Sequence, residues 1–353
     1  MFFLKKATSV ILSVIIVLLC FSLTSCNTKK EKFTDYSFDY FDTVTTIIGF
    51  ENTNEEFKKN CDKIKEKLYE YHKLYTIYTR YDGINNLCTL NSQINGQHKE
   101  YTVDKRIIEL IDFSKQMYDL TDGKVNIALG SVLSIWHNYR EKGIKDPSKA
   151  QLPDIRELKR ASEHTDIDDV IINREKSTVY LSDNEMLLDV GAIAKGYAVE
   201  EVALWMEKEG IVGYILNVGG NVRVIGDRPD GEEWTVGIEN PDIEDKENAY
   251  IAYLNFSDMA LVTSGSYQRF YVVDGKNYHH IIDSDTLMPS ENFLSVSVLC
   301  DSSAVADALS TAIFTMNYED GKKIIESLNN TEAMWVFPDG KQLFTKGFKN
   351  YLK

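Results

Sequence analysis

LLDVGAIAKGYAVEEVALWMEKEGIVGYILNVGGNVRVIG, residues 187–226, decides how the chain is read: an acid, a lysine and several glycines bracket an amphipathic segment between two apolar, strand-like runs. Asp189 is expected to end a strand, Gly191 and Ala192 to let backbone approach closely, and Lys195 with Gly196 to occupy the first turn of the next helix. A helix N-terminus with free N–H groups beside a lysine suits a phosphate. The plainer reading is Lys195 on a solvated face, since short motifs of this kind arise by chance.

Upstream, FDYFDTVTTIIGF has the β-branched and aromatic content of a strand. Phe57, Cys61, Ile64, Leu68, Tyr71 and Tyr75 then fall at threes and fours, which predicts an amphipathic helix. VDKRIIELIDFSKQMYDLTDG reads as a second helix stopped by Gly123, and LPDIRELKRASEHT as a third. Between them KVNIALGSVLSIWHNYREKG is apolar without a clean period and is expected to be a ligand-contacting loop. Downstream, WTVGIENP, AYIAYLNFS, MALVTSG, QRFYVVDG and FLSVSVLC are strand-like runs separated by turn residues. VADALSTAIFTM and DGKKIIESLNN read as helices before a closing hairpin.

The N-terminus differs in kind. Lys5 and Lys6 precede an apolar run, Val10 to Leu23, that is short for a membrane span, so residues 1–25 read as an export signal. The run ends Leu23-Thr24-Ser25-Cys26, which resembles the lipobox of bacterial lipoproteins; Cys26 is the expected lipidation site, a diacylglyceryl thioether, and 26–36 a tether ahead of one domain over 37–353. The alternative is a plain secretory signal. The expected location is the outer face of the bacterial cytoplasmic membrane. Cys61, Cys88 and Cys300 would remain, without metal-ligand spacing or a disulfide framework. With 54 acidic against 39 basic residues among 353, nucleic acid and electrostatic attachment to anionic lipid are disfavoured.

Two further clusters bear chemistry. In ADALST, Asp307 and Thr311 share a helical face, with Ser310 beside them, and hard oxygens of this kind suit magnesium; a back-bonded threonine near a helix start is the bland alternative. In YHHIIDSDTLMP, His279, His280 and Asp283 lie in one loop, while His72, His98, His137 and His164 read as structural.

Taken in order, the chain resembles the FAD:protein FMN transferases, the ApbE-like lipoproteins. The resemblance rests on Asp42-Thr43, YTIYTRYDGINNLCTLN, DGKVNIALGSVLSIWH, LDVGAIAKGYAVEEV, LNVGGNVRVIG, VGIENP, TSGSYQRF, HHIIDSDTLMP and ADALSTAIF, and covers nearly all of the chain after the signal. It implies a magnesium-dependent enzyme that splits FAD, attaches FMN by a phosphoester to a threonine of an exported flavoprotein, and releases AMP. It further implies magnesium on the Ala192 carbonyl, Asp307 and Thr311. FAD contacts would fall on Phe41, Tyr78, Lys124, Val125, Asn126, Asp189 and Lys195 and on the backbone near Ile282, with His280 as the base.

The sequence departs from the family pattern at Val125-Asn126, where an aromatic and an aspartate are common, and at Glu200, Ser266 and Ser284. The expected fold is α+β, ApbE- and T-fold-like, with largely antiparallel sheet and two lobes interleaved in sequence. Rossmann architecture is disfavoured, because no GxGxxG follows the first strand. Two rival functions stand: a magnesium-dependent FAD pyrophosphatase giving FMN and AMP, and a lipoprotein that only binds flavin.

Overall fold

The computed structural model describes residues 30–92 and 99–353. The signal, Cys26 and His98 lie outside the described residues. Eight strands form one sheet whose spatial order equals chain order: Glu31–Tyr40, Thr43–Glu51, Tyr214–Val218, Asn221–Ile225, Ala260–Gly265, Ser295–Cys300, Glu332–Val336 and Gln342–Phe344. Every neighbouring pair is antiparallel, so the sheet is a meander whose connections have grown into the rest of the protein. The long excursion between Glu51 and Tyr214 carries most helices.

Period-two alternation feeds two cores. Tyr214, Leu216 and Val218 enter the larger one with the helices, while Ile215 and Val224 turn to the other face beneath the hairpin Trp234–Glu239/Tyr250–Phe256. The helix Asn54–Tyr75, capped by Thr53, buries the six residues its periodicity singled out. Helices Ala194–Lys208 and Ser303–Thr315 cross on the same face, the latter almost wholly buried. Gly196 permits that contact: a Cβ there would lie 2.3 Å from the Cβ of Asp307 and 2.4 Å from the Ser303 carbonyl oxygen.

Three expectations are corrected. First, strand begins at Glu31, inside the stretch read as a tether; it is polar because it is an edge strand, and Phe33 is held by stacking on Phe57. Second, residues 187–190 form no strand. Asn91 Oδ1 accepts from Leu188 N and its Nδ2 donates to the Leu188 carbonyl, both at 2.8 Å, while Leu187 N donates to Ser131 Oγ and Asp189 N to the Ile127 carbonyl. A side-chain amide here replaces a neighbouring strand. Third, KVNIALGSVLSIWHNYREKG is largely helix: a short turn Ile127–Leu129 leads into Gly130–Lys145. Its pattern is blurred because Gly130 abuts the Leu187 carbonyl and Trp136 is buried against the Leu287 carbonyl, while other positions face a cavity.

Among the described residues no helix is long and apolar enough to cross a membrane, and Cys61, Cys88 and Cys300 are free thiols.

Candidate functional site

A cavity of about 360 Å³ opens where the meander's long connections converge. Its wall draws on the hairpin tip Asp42-Thr43, on Lys124–Ile127, on Trp136, His137 and Arg140, on Asp189, Ala192 and Lys195, on the strand end Thr263–Gly265, on Arg269, on His280–Ile282, and on Asp307 with Thr311. Residues more than two hundred positions apart thus meet in one chamber.

One corner is built on Asp307. Its Oδ2 accepts the Gly196 N–H at 2.8 Å, so the carboxylate caps the Ala194 helix, whose own cap residue, Ile193, offers no side-chain bond. The Gly196 N–H is therefore taken and is not free for a phosphate. Oδ1 has only long partners, Asn221 Nδ2 at 3.4 Å and Lys195 Nζ at 3.7 Å, and burial raises the carboxyl's pKa despite the lysine. Thr311 lies one turn on, with Ser264 Oγ 3.4 Å from its hydroxyl; Ser310 turns to Ser264 and to the Asp307 carbonyl. Ala192 lines the same cavity. A buried carboxylate oxygen lacking a short partner, beside a hydroxyl, fits a hard cation. Among the described residues no three His, Cys, Asp or Glu side chains cluster as metal ligands, so a cation here would draw also on hydroxyl and carbonyl oxygen.

The histidine pair divides its roles. His279 is buried and fastens the loop, donating from Nε2 to the Ser290 carbonyl at 2.7 Å and accepting Ile281 N–H at Nδ1. His280 faces the cavity, and its Nδ1 donates to the Arg269 carbonyl at 3.3 Å, which leaves Nε2 as the proton acceptor. Burial, helped by the charge of Arg269, lowers its pKa to about 3, so the ring is neutral.

The other expected residues are placed unevenly. Tyr78 stands at the rim with its ring 5.4 Å from that of His137. Asp189 lines the wall, holds the Gly191 N–H at 2.8 Å, and has its pKa raised by desolvation. Val125, Asn126, Lys195 and Ile282 also line it. Phe41 does not; it sits in the hairpin turn at φ 53°, its N–H donating to His72 Nδ1 at 3.2 Å, and leaves the wall to Asp42 and Thr43. Lys124 reaches the cavity, but its ammonium is held by Asp283 at 2.6 Å and Asp285 at 2.7 Å, so it is a strut between two walls. Asn126 caps the turn at Ala128 N and donates to the Thr165 carbonyl at 2.9 Å, a bond that an ionised aspartate cannot make. Glu200, another departure, accepts the Ser303 N–H and faces the buried Arg223 at 3.5 Å. The sequence reading missed His137, Arg140, Arg269 and Ser264. Helical spacing of His137 and Arg140 was their one available signal, hidden by the loop reading of that segment.

A family model described as the ApbE family matches residues 39–335. The chain belongs to the ApbE family. It is 27% identical to the FAD:protein FMN transferase of Haemophilus influenzae, over 99% of this chain and 98% of that one. It is 30% identical to the FAD:protein FMN transferase of Treponema pallidum, over 72% of this chain and 71% of that one. Among solved structures, the ApbE protein of Thermotoga maritima superposes with a TM-score of 0.77 at 25% identity, covering 92% of this chain and all of that one. The flavin transferase ApbE of Vibrio cholerae gives 0.73 at 23% identity, again over 92% and 100%. The mixed helix and antiparallel-sheet architecture is therefore that of ApbE proteins.

Proposed function

We infer that this chain is an FAD:protein FMN transferase, a reading supported by its family membership and by the relatives that carry this name. The observation in the molecule that carries it is the meeting of Asp307, Thr311, Lys195 and His280 on one cavity. The finer reading is that magnesium is held by the Ala192 carbonyl, Asp307 and Thr311, and that the acceptor is a threonine of an exported flavoprotein. The chain itself would be anchored through Cys26 on the outer face of the membrane.

When bound, the cation would supply Lewis-acid stabilisation of phosphoryl oxygens. The protein's own residues do the rest. Lys195 sets a positive charge against the diphosphate, and the walls align it. His280 Nε2 takes the proton of the threonine hydroxyl as its oxygen attacks the FMN-side phosphorus; a bond from phosphorus to threonine oxygen forms, the diphosphate linkage breaks, and AMP leaves with the electron pair. Although the unliganded His280 is a weak base, the negative charge of a bound diphosphate beside it raises its basicity.

The test is incubation of the protein with FAD, magnesium and exported flavoproteins of the same genome, followed by denaturation and mass measurement. One FMN retained on a threonine supports the proposal. Unmodified acceptors with free FMN and AMP accumulating would replace it by hydrolysis.

A further inference from the structure

We propose that Arg140 and Arg269 form a second anion subsite, distinct from the Asp307 corner, which takes a phosphate group of the dinucleotide beside His280. The proposal rests on FAD being the substrate and assigns two residues to it that family resemblance did not supply.

Four long cationic side chains line the cavity: Lys124, Arg140, Lys195 and Arg269. Two are already matched. Lys124 lies between two carboxylates, and Lys195 stands 3.7 Å from Asp307. Arg140 is different: its side chain is only 17% exposed, and its nearest carboxylate is Glu141, 4.0 Å from Nε and itself 59% exposed. Arg269, at the exposed rim, pairs with no carboxylate among the described residues and gives one bond, from Nη2 to the Asp42 carbonyl at 3.4 Å. Arg140 is thus held largely out of water with no carboxylate in hydrogen-bonding contact, Asp189 being an acid that shares its cavity, and such an incompletely paired guanidinium gains from a ligand that brings negative charge to it.

Geometry prepares Arg140 for that ligand. Its Nη2 lies 3.0 Å from His137 Nδ1, and since arginine only donates, the imidazole accepts. That bond fixes one edge of the fork and leaves the remaining N–H groups of a planar donor suited to phosphate oxygens. His137, on the same helix as Arg140, in turn lies against the Tyr78 ring, which steadies the imidazole that holds the guanidinium. Arg269 is braced from the other side, because its own carbonyl holds His280. Arg140, Arg269 and His280 all line the one cavity, which puts both arginines on the wall that the substrate of this histidine would meet.

FAD carries a negative charge on each of its two phosphates, and transfer adds charge to the departing AMP as the linkage breaks. One phosphate has the Lys195 and Asp307 corner; the other meets the arginines. Their role is thus both binding and stabilisation of the charge that develops on the phosphoryl oxygens.

The experiment uses the purified full chain in detergent, freed of divalent metal by EDTA, and titrates FAD and riboflavin by fluorescence. Arg140→Met and Arg269→Met should each weaken FAD binding at least tenfold while riboflavin affinity stays within twofold. Arg140→Lys should recover most of the loss, and the salt dependence of FAD binding should flatten in the methionine variants. Unchanged FAD affinity in both methionine variants overturns the subsite. So does an equal loss for riboflavin, which would mark a packing role. Exposed Arg269 guards against a folding failure at Arg140. If the wild-type chain binds no FAD, the transferase reading fails by itself, and the subsite is judged with inorganic diphosphate. A rise in wild-type melting temperature that Arg140→Met abolishes supports it, and no rise contradicts it.

Discussion

Lys124 Nζ lies 2.6 Å from Asp283 Oδ1 and 2.7 Å from Asp285 Oδ2, joining the wall loop 124–126 to the loop that carries His280. The ammonium and the Asp283 carboxylate are both largely buried, so this pair is screened far less than a surface ion pair. Lys124→Met should cost about 1.5–3 kcal/mol of stability, in the range for charged hydrogen bonds. It should also lower kcat for transfer and raise KM for FAD, because the strut ties the loop that carries His280 to a loop of the cavity wall. Thermal melts and steady-state kinetics on the same preparation check both, and Lys124→Arg should retain most of the wild-type behaviour.

Asp307→Asn separates stability from chemistry. Desolvation already raises this carboxyl's pKa, so removing its charge relieves a cost of folding. The variant should melt no lower than wild type at pH 7 and lose about 10²- to 10³-fold in transfer rate, the usual scale for removing one electrostatic contributor. A variant that melts lower and transfers normally would make Asp307 merely a helix cap.

Gly196→Ala places a Cβ 2.3 Å from the Asp307 Cβ, against buried helix and backbone that cannot swing aside. The two helices must separate, at about 1–3 kcal/mol for overpacking. Denaturant unfolding should report the loss, together with weaker binding of any divalent cation in calorimetry.

His280 is held neutral, with its pKa lowered to about 3 by burial first and by neighbouring arginine charge second. In the free enzyme kcat/KM should therefore show no loss near pH 6.5, where an ordinary histidine protonates, and its acid limb should lie lower. For stability the sign is the same. The unfolded chain takes up the proton near pH 6.5 and the folded chain does not, so this group's contribution is complete above that pH and is lost as pH falls. His280→Ala should flatten that part of the stability profile. The pKa of His164 is shifted the other way, raised by its bond to Asp183, so its NMR titration midpoint should lie above that of an ordinary histidine.

Much of this site was legible in the sequence where its chemistry sits within one helix. Asp307 and Thr311 share a face at i and i+4, and both reach the cavity. What the sequence hid depends on contacts between distant segments. LLDV is as apolar as a strand, yet its partners are the side chains of Asn91 and Ser131, which no periodicity reveals. The helix carrying His137 and Arg140 was obscured because one side packs on core and another lines the cavity, so the apolar stripe has no clean edge. Lys124 was expected at the ligand from the family resemblance, and it does line the cavity, but its ion pairs were not legible because Asp283 and Asp285 lie some 160 positions away.

Asn126→Asp tests the departure from the family pattern. The cap on Ala128 N survives, but the bond to the Thr165 carbonyl becomes a repulsion between two acceptors. The cost should be about 1–3 kcal/mol, read as a lower melting temperature that partly recovers as the carboxyl is protonated.

The most direct measurement of the central claim is the product balance with FAD, magnesium and an exported flavoprotein acceptor, followed by chromatography. Transfer predicts AMP released in equal amount to FMN bound on the acceptor, with little free FMN, and loss of both AMP release and FMN attachment in Asp307→Asn. Equal amounts of free FMN and AMP with an unmodified acceptor, or unchanged FAD, would contradict it.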